Sequence, residues 1–361
     1  LGEQGEVVSS KYTHRFSYKN DKPTKTACVV RYGAFGDLMQ ASSVWAGLKQ
    51  QGYHVTLFSS LPGADVVLHD PNIDNLVLFD KDQVPNGNLM DFWSWQKKKF
   101  DKWVNLSESV EGTLLGMQGR AVALYPPQVR HSLMNRNYVE FQHAIAEVPY
   151  VLNSHFYRTA EEVKWAKRER AKMGEGPVVV WSLAGSSVHK TWAGLDNVLA
   201  SILVEFPTAR VVLTGGPDCV LLEAGWENEP RIVRKSGVWS IRETLSFCLE
   251  ADVIIGPETG VMNAMACEPM AKVVFLSHST HENLTRDWVN TIPLWSENTK
   301  CAGRGNNAAP ACHLLHYNWT ACTRDPESGT AQCQKDITIG QAWAAVYNAL
   351  RDCESARQKV A

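Results

Sequence analysis

Several things are scarce or missing in this 361-residue chain, and each absence closes off a class of function. No run approaches the ~18 apolar residues of a membrane-spanning helix, and no basic stretch followed by a short apolar core marks a secretion signal. A large excess of either charge is also missing. A formal net charge of -2 argues against binding nucleic acid by bulk electrostatics, although a local patch remains compatible with it. No strand is followed by Gly-x-Gly-x-x-Gly; Gly33-Ala34-Phe35-Gly36 has the wrong spacing. That disfavours a dinucleotide-dependent oxidoreductase or epimerase. The nine cysteines include no closely spaced pair of the kind that binds zinc. These absences lead us to expect a soluble, cytoplasmic protein. The first residue is Leu1 rather than Met, which leaves the natural N-terminus open.

What is present is an alternation of short apolar runs with helix-like segments, the pattern of parallel sheets covered by helices. Strands are expected at residues 27–32, 54–59, 75–79 and 102–106, and in a second series at 177–182, 209–214, 252–256 and 272–277. In Leu38 to Gln51, apolar Leu38, Ala41, Val44, Trp45 and Leu48 fall close to helical spacing, and Gly52 follows as a stop. Further helical patterns cover 193–206, 239–250 and 260–267. The expected fold class is α/β, with two doubly wound, Rossmann-like domains facing across a cleft and ligands at the carboxyl ends of the strands. Residues 1–26, polar and locally basic, read as a solvated arm. The N-terminal domain is expected over 27–155 and the C-terminal domain over 156–335, with a cysteine-bearing segment at 301–333 and a helix at 336–361. The charged stretch Glu161 to Lys172 reads as the link between the halves.

Three loops at strand ends carry groups suited to a phosphorylated ligand. Arg31-Tyr32-Gly33-Ala34-Phe35-Gly36-Asp37 places a glycine turn and a carboxylate at a helix start. The stretch from Ser182 through Gly185, Ser186, Ser187 and His189 to Lys190-Thr191-Trp192 sets hydroxyls and amides beside one lysine. The third loop, Gly256-Pro257-Glu258-Thr259-Gly260-Val261-Met262-Asn263, passes straight from strand into helix.

In this order the residues resemble the family 9 glycosyltransferases typified by the lipopolysaccharide heptosyltransferases. Gly36-Asp37 is similar to the Gly-Asp turn after that family's first strand, and Asp70-Pro71-Asn72-Ile73-Asp74 to its turn before the third. Lys190-Thr191-Trp192 resembles its lysine followed by an aromatic, and Glu258-Thr259-Gly260-Val261-Met262-Asn263 its Asp-Thr-Gly-x-x-His signature. The tail with Cys301, Cys312, Cys322 and Cys333 is similar to the family's cysteine-bearing end. The resemblance implies a GT-B arrangement, with sugar moving from a nucleotide diphosphate (ADP- or UDP-linked) to an acceptor hydroxyl by inversion, and no cofactor or metal required. Here the family's aspartate is Glu258, and its histidine is Asn263, which cannot carry a proton at neutral pH. Its ribose-binding acid has no clean counterpart near Gly215, with Asp218 or Glu223 as substitutes.

The chemistry requires a base for the incoming hydroxyl and N–H-rich or positive surroundings for the leaving diphosphate. Asp37 is the expected base, a role compatible with helix capping. Gly185, Ser186, Ser187, Lys190, Gly215, Glu258, Thr259, Gly260 and Asn263 are the expected donor-binding residues. Acceptor contacts are expected from Tyr32, Gly36, Gln40, Ser107, Glu108, Arg130 and Arg136. The cysteines Cys301, Cys312, Cys322 and Cys333 have nine or ten residues between each neighbouring pair, which leaves zinc, disulfides and free thiols all open. Two alternatives stand beside the main reading: a glycosyltransferase acting on a modified base in DNA, which would employ the basic arm, and a non-enzymatic nucleotide or nucleic-acid binding protein.

Overall fold

In the computed structural model the chain divides into two compact units, Leu1–Tyr157 and Arg158–Ala361. The structure describes all residues except 1–6, 10–11, 17–24, 62, 80–82, 109–125, 127–128, 130–135, 187, 297–298, 300–321 and 361.

In unit 1 the strands are β1 (Val7–Ser9), β2 (Tyr12–Phe16), β3 (Thr26–Val30), β4 (His54–Ser59), β5 (Asn75–Leu78) and β6 (Lys102–Asn105). Their order in the sheet is β1-β2-β5-β4-β3-β6. Strands β3 to β6 are mutually parallel, while β2 runs antiparallel to both β1 and β5. The helices are α1 (Phe35–Gln50), α2 (Leu89–Lys97) and α3 (Tyr138–Ala146). Residues 7–9 and 12–16 thus correct the expectation of a solvated arm for that part of it, because they extend the sheet at its β5 edge.

Helix α1 forms because its apolar residues recur at helical spacing, and Leu38, Ala41, Val44, Trp45 and Leu48 are completely buried against the sheet. The Asp70-to-Asp74 turn then pins that helix. Asp70 accepts the Trp45 indole N–H at 2.7 Å and the Asn72 amide at 2.8 Å, while Asp74 receives Lys49 and the Val55 amide, each at 2.7 Å. The motif therefore acts through packing and polar satisfaction.

Unit 2 contains α4 (Ala160–Ala171), β7 (Val178–Ser182), α5 (Leu195–Glu205), β8 (Arg210–Thr214), β9 (Ile232–Arg234), α6 (Ile241–Cys248), β10 (Val253–Pro257), α7 (Gly260–Ala264), β11 (Ala271–Phe275), β12 (Thr291–Leu294), α8 (Gln332–Lys335) and α9 (Ile339–Val360). Its sheet is parallel throughout, in the order β12-β11-β10-β7-β8-β9. The charged stretch read as a link is helix α4, capped by Thr159 and tied to α6 by the Arg242–Glu162 ion pair at 2.6 Å. Trp181, Trp192 and Phe275 stack in the core, and the Trp192 indole donates to the Ile337 carbonyl at 3.0 Å, anchoring the segment that leads into α9.

One cation is fully buried in this sheet. Lys272 on β11 donates to the carbonyls of Glu268 and Met270 at 2.6 and 2.9 Å, and burial pushes its pKa down to about 8. No helix among the described residues is long and apolar enough to cross a membrane.

Replacing Asp70 with Ala strands the buried Trp45 N–H and frees the turn. The expected loss is about 3 kcal/mol, since hydrogen bonds to a charged acceptor contribute more than neutral ones. Urea denaturation of Asp70→Ala against the parent chain measures it, and an unchanged midpoint would remove the motif's structural role.

Candidate functional site

The parallel strands of each sheet reverse their order once, and the expected polar loops lie at those reversals. In unit 1 the chain runs from β3 outward through β4 to β5, then returns to place β6 on the other side of β3. In unit 2 it runs from β7 through β8 to β9, then returns to place β10 on the other side of β7. Loops leaving adjacent strands in opposite directions open a crevice at their carboxyl ends, the general ligand position of such sheets.

At the β3/β6 reversal, Asp37 sits in the first turn of α1. Its carboxylate accepts the Ala34 amide at 2.7 Å and pairs with Arg31 at 3.2 Å, with 27% of its side chain exposed against 3% for Arg31. Arg31 is held in the core as the residue that continues β3, its amide donating to the Phe58 carbonyl at 3.0 Å. Gly33 has φ +126°, and a Cβ there would collide with the Asp37 carboxylate, so glycine is required by both conformation and space. Gly63 approaches the Gly33 carbonyl equally closely. Asp37 is thus a cap whose orientation is fixed by a buried guanidinium, with part of its surface accessible.

Ser107, at the end of β6, accepts the Tyr32 amide at 3.3 Å across the reversal. The Tyr32 ring, half-buried, stacks on Trp93 and meets Phe79 edge-on, and its hydroxyl accepts the Trp93 indole N–H at 3.2 Å. Gly36 and Gln40 are half-buried beside Asp37 on α1. Arg136 is exposed, its guanidinium 5.0 Å from the centre of the Phe141 ring. Arg130 and the Glu108 side chain lie outside the described residues, as do Ser187, Cys301 and Cys312.

At the β7/β10 reversal the Ser182 and Thr259 hydroxyls meet at 3.2 Å. The strands approach so closely that a Cβ on Gly256 would lie 2.8 Å from the Ser182 carbonyl. Gly185 and Ser186 are exposed on the following loop, and the Lys190 side chain lies across Gly185, where a Cβ would meet its Cδ at 2.6 Å. Gly260 opens α7, a single five-residue turn, on which Asn263 is buried.

Glu258 differs from a surface cap. Its side chain is 1% exposed, and Oε1 accepts the amides of Ser277 at 2.7 Å, His278 at 2.8 Å and Ser279 at 3.4 Å, together with the Ser277 hydroxyl. The same oxygen lies 2.9 Å from His278 Nδ1, while Oε2 is buried without a partner among the described residues. Burial works to raise the Glu258 pKa, yet the charge and hydrogen bond of His278, the charge of Lys190 and the Ser277 bond carry it well below the usual carboxylate range. The His189 ring meets the His278 ring edge-on, with centres 5.1 Å apart. Unit 2 therefore gathers Lys190, Glu258, His189 and His278 at the carboxyl ends of β7, β10 and β11.

His278 was not among the expected site residues. The signal available was a histidine directly after the apolar run 272–277, a place where its partner Glu258 cannot be read from spacing. Gly215 lacks a side chain for a packing reason, since a Cβ there would strike Cys219. Of the substitutes for a ribose-binding acid, Glu223 is buried and accepts the Ser236 amide at 3.0 Å, whereas Asp218 is exposed. No group of three or more metal-ligating side chains occurs among the described residues, which exclude two cysteines of the C-terminal quartet.

No protein-family model matches the chain, and no curated protein matches its sequence. Solved structures do. A glycosyl transferase family 9 protein from Veillonella parvula superposes with TM-score 0.64 at 13% identity, covering 92% of this chain and 99% of its own. The Escherichia coli ADP-heptose lipopolysaccharide heptosyltransferase II gives TM-score 0.62 at 14% identity, covering 91% and 99%. TibC from enterotoxigenic E. coli, a dodecameric iron-containing glycosyltransferase, gives 0.59 at 14% identity, covering 94% and 79%. At such identities the likeness establishes the fold: the chain is an α/β protein built like these glycosyltransferases, with two Rossmann-like units.

The geometry of Glu258 generates a stability prediction with a definite sign. A carboxylate whose folded pKa is depressed adds stability that is fully present above its unfolded value near 4.5 and is lost as pH falls through the folded value. Glu258→Gln is expected to lose about 2 kcal/mol at pH 7. That deficit should shrink below pH 4.5, read from denaturant midpoints across pH. A deficit that stays constant into acid would show that Glu258 contributes no charge-dependent stability.

Proposed function

We propose that the protein is a glycosyltransferase that moves a sugar, of hexose or heptose type, from a nucleotide-diphosphate donor to an acceptor hydroxyl with inversion. The observation that carries this reading is the coincidence at the two strand reversals: an oriented, partly accessible carboxylate in unit 1, and a lysine beside a hydroxyl- and amide-rich loop in unit 2. Unit 1 takes the acceptor and unit 2 the donor. TibC, of similar fold, has been solved with ADP-D-beta-D-heptose, which supports an ADP-linked donor, with UDP-linked sugars next in line.

In this mechanism Asp37 accepts the proton of the attacking hydroxyl. Its Oδ2 accepts the Ala34 amide and its Oδ1 lies 3.2 Å from the Arg31 guanidinium, and a carboxylate has lone pairs for further donors, so the acceptor hydroxyl meets an oriented base. Lys190 and the hydroxyls of Ser186 and Thr259 receive the charge that develops on the departing diphosphate. Glu258 offers Oε2 to a donor hydroxyl while Oε1 holds the 277–279 turn in place. The charge neutralisation that a divalent ion supplies in other phosphate chemistry falls here to Lys190 and backbone amides.

Three measurements test this reading. A panel of nucleotide sugars should contain at least one that raises the melting temperature, because a ligand of the native state stabilises it by mass action; no shift with any of them would count against donor binding altogether. Asp37→Asn should keep that shift and lose transfer by roughly 100-fold or more, the usual scale of general-base catalysis, and equal activity would reduce Asp37 to a cap. EDTA should leave transfer intact, and activity lost to chelation and restored by a divalent ion would overturn the metal-independent step.

A further inference from the structure

Helix α2 carries a surface that the transfer reaction leaves unused. We propose that its solvent face docks unit 1 onto the surface of an anionic lipid bilayer. The inference stands on unit 1 by itself and goes beyond the transferase reading, whose failure would leave it untouched.

The way α2 is built comes first. Its inner side meets the aromatic cluster of the sheet, where Trp93 is buried with Phe58 and Phe79, and Leu89 and Phe92 are half-buried. The helical repeat then leaves one outward arc, on which Met90, Asp91, Ser94, Trp95, Lys97 and Lys98 are all exposed. Lys99 follows, also exposed, with its Nζ 3.5 Å from the centre of the Trp95 ring.

Trp95 is 55% exposed and Met90 42%, and Trp95 is the one exposed tryptophan among the described residues. A single exposed apolar side chain would carry no meaning. Here two of them share a helix face with three consecutive lysines and one acid, Asp91, in a chain whose formal net charge is -2. One lysine in the last turn offsets the helix dipole, and three exceed that need.

A nucleic acid and a membrane could each use such a face, and the indole separates them. Stacking on a base requires an open ring face. The Lys99 ammonium covers one face of Trp95, and the Phe92 ring lies 6.4 Å away, tilted by 50°. A headgroup layer instead takes up an indole and a thioether at the acyl boundary, with lysines beside them at the phosphates. That is the arrangement on α2. Its placement fits as well. The helix returns the chain from β5 to the amino end of β6, where Asp101 bonds Thr26 at the start of β3. Lys97, Lys98 and Lys99 therefore lie at the amino edge of the sheet, opposite the edge that carries Asp37, and docking there leaves the Asp37 loop uncovered.

The test is co-sedimentation of the full chain with vesicles of phosphatidylcholine alone and of phosphatidylcholine mixed with phosphatidylglycerol. The parent chain should pellet with the anionic vesicles at low salt, stay in solution with the neutral ones, and be released at about 1 M salt, where the screening length falls to about 3 Å. The triple variant Lys97→Gln/Lys98→Gln/Lys99→Gln should lose on the order of 100-fold in vesicle affinity. Trp95→Ser should lose roughly tenfold with the lysines intact, since less apolar surface enters the interface. Lys164→Gln/Lys167→Gln/Arg168→Gln, which removes three exposed cations from α4, should bind like the parent.

No pelleting of the parent with anionic vesicles at low salt would overturn the inference, as would equal binding by both α2 variants or an equal loss in the α4 variant. Binding of a single-stranded oligonucleotide, lost in the α2 variants and unaccompanied by vesicle binding, would reassign the face to nucleic acid and overturn it too. Should an α2 variant fail to fold, amide hydrogen exchange of the parent chain with and without anionic vesicles still decides: protection is expected at residues 89–99, and protection confined to other segments would count against the proposal.

Discussion

The reversal of strand order within each sheet is the constraint on which the rest depends. Parallel strands need crossover connections, so every loop that follows a strand emerges at the carboxyl edge, and where two neighbouring strands send their loops opposite ways a crevice is unavoidable. Backbone groups at that point lack sheet partners and must find others. In unit 1 Ser107 accepts the Tyr32 amide, and in unit 2 the Leu183 amide donates to the Thr214 carbonyl and the Glu258 amide to that of Phe275. The same topological device appears twice and is furnished differently: an accessible carboxylate in one unit, a lysine and two histidines around a buried carboxylate in the other.

Burial decides how each carboxylate is to be understood. An exposed helix cap contributes ~1 kcal/mol and can be replaced with small loss. A buried carboxylate is another matter, because its desolvation costs several kcal/mol and must be offset by strong hydrogen bonds or a nearby opposite charge. Glu258 meets that demand with three amides, a hydroxyl and an imidazole on a single oxygen. Asp37 meets a smaller one with an amide and Arg31. It is Glu258 that organises its surroundings, whereas Asp37 is organised by them.

Elements with complete local signals were legible in the sequence. The central strands of both sheets read as apolar runs, and α1 read from its spacing, because burial on both sheet faces or on one helix face leaves a periodic imprint. The edges were not legible. Tyr12-Thr13-His14-Arg15-Phe16 is polar enough to pass for a solvated arm, and its pairing with β5 depends on residues some sixty positions away. Strands β9 and β12 are short edges, the latter with Pro293, whose missing N–H is tolerated only where no ladder bond is needed. The three loops of the candidate site stand out in the sequence because glycine, hydroxyl and charge concentrate there. Their partners were hidden: nothing in local sequence says that Arg31 is buried against Asp37, or that the amides of 277–279 turn toward Glu258.

The departures from the family pattern take on a different meaning in this setting. Asn263, standing where the resembled signature has a histidine, cannot hold a proton, and Glu258 is a methylene longer than the aspartate it replaces. A longer acid reaches the turn after β11 and closes on His278, with His189 packed against that ring. Unit 2 thus places two imidazoles at the same sheet edge, carried on the ends of β7 and β11 rather than on the short helix after β10. What the strand reversal constrains is the balance of charge around the crevice, and several sequence positions reach that crevice. Matching motifs position by position registers a lost histidine, whereas following charge through the fold finds two.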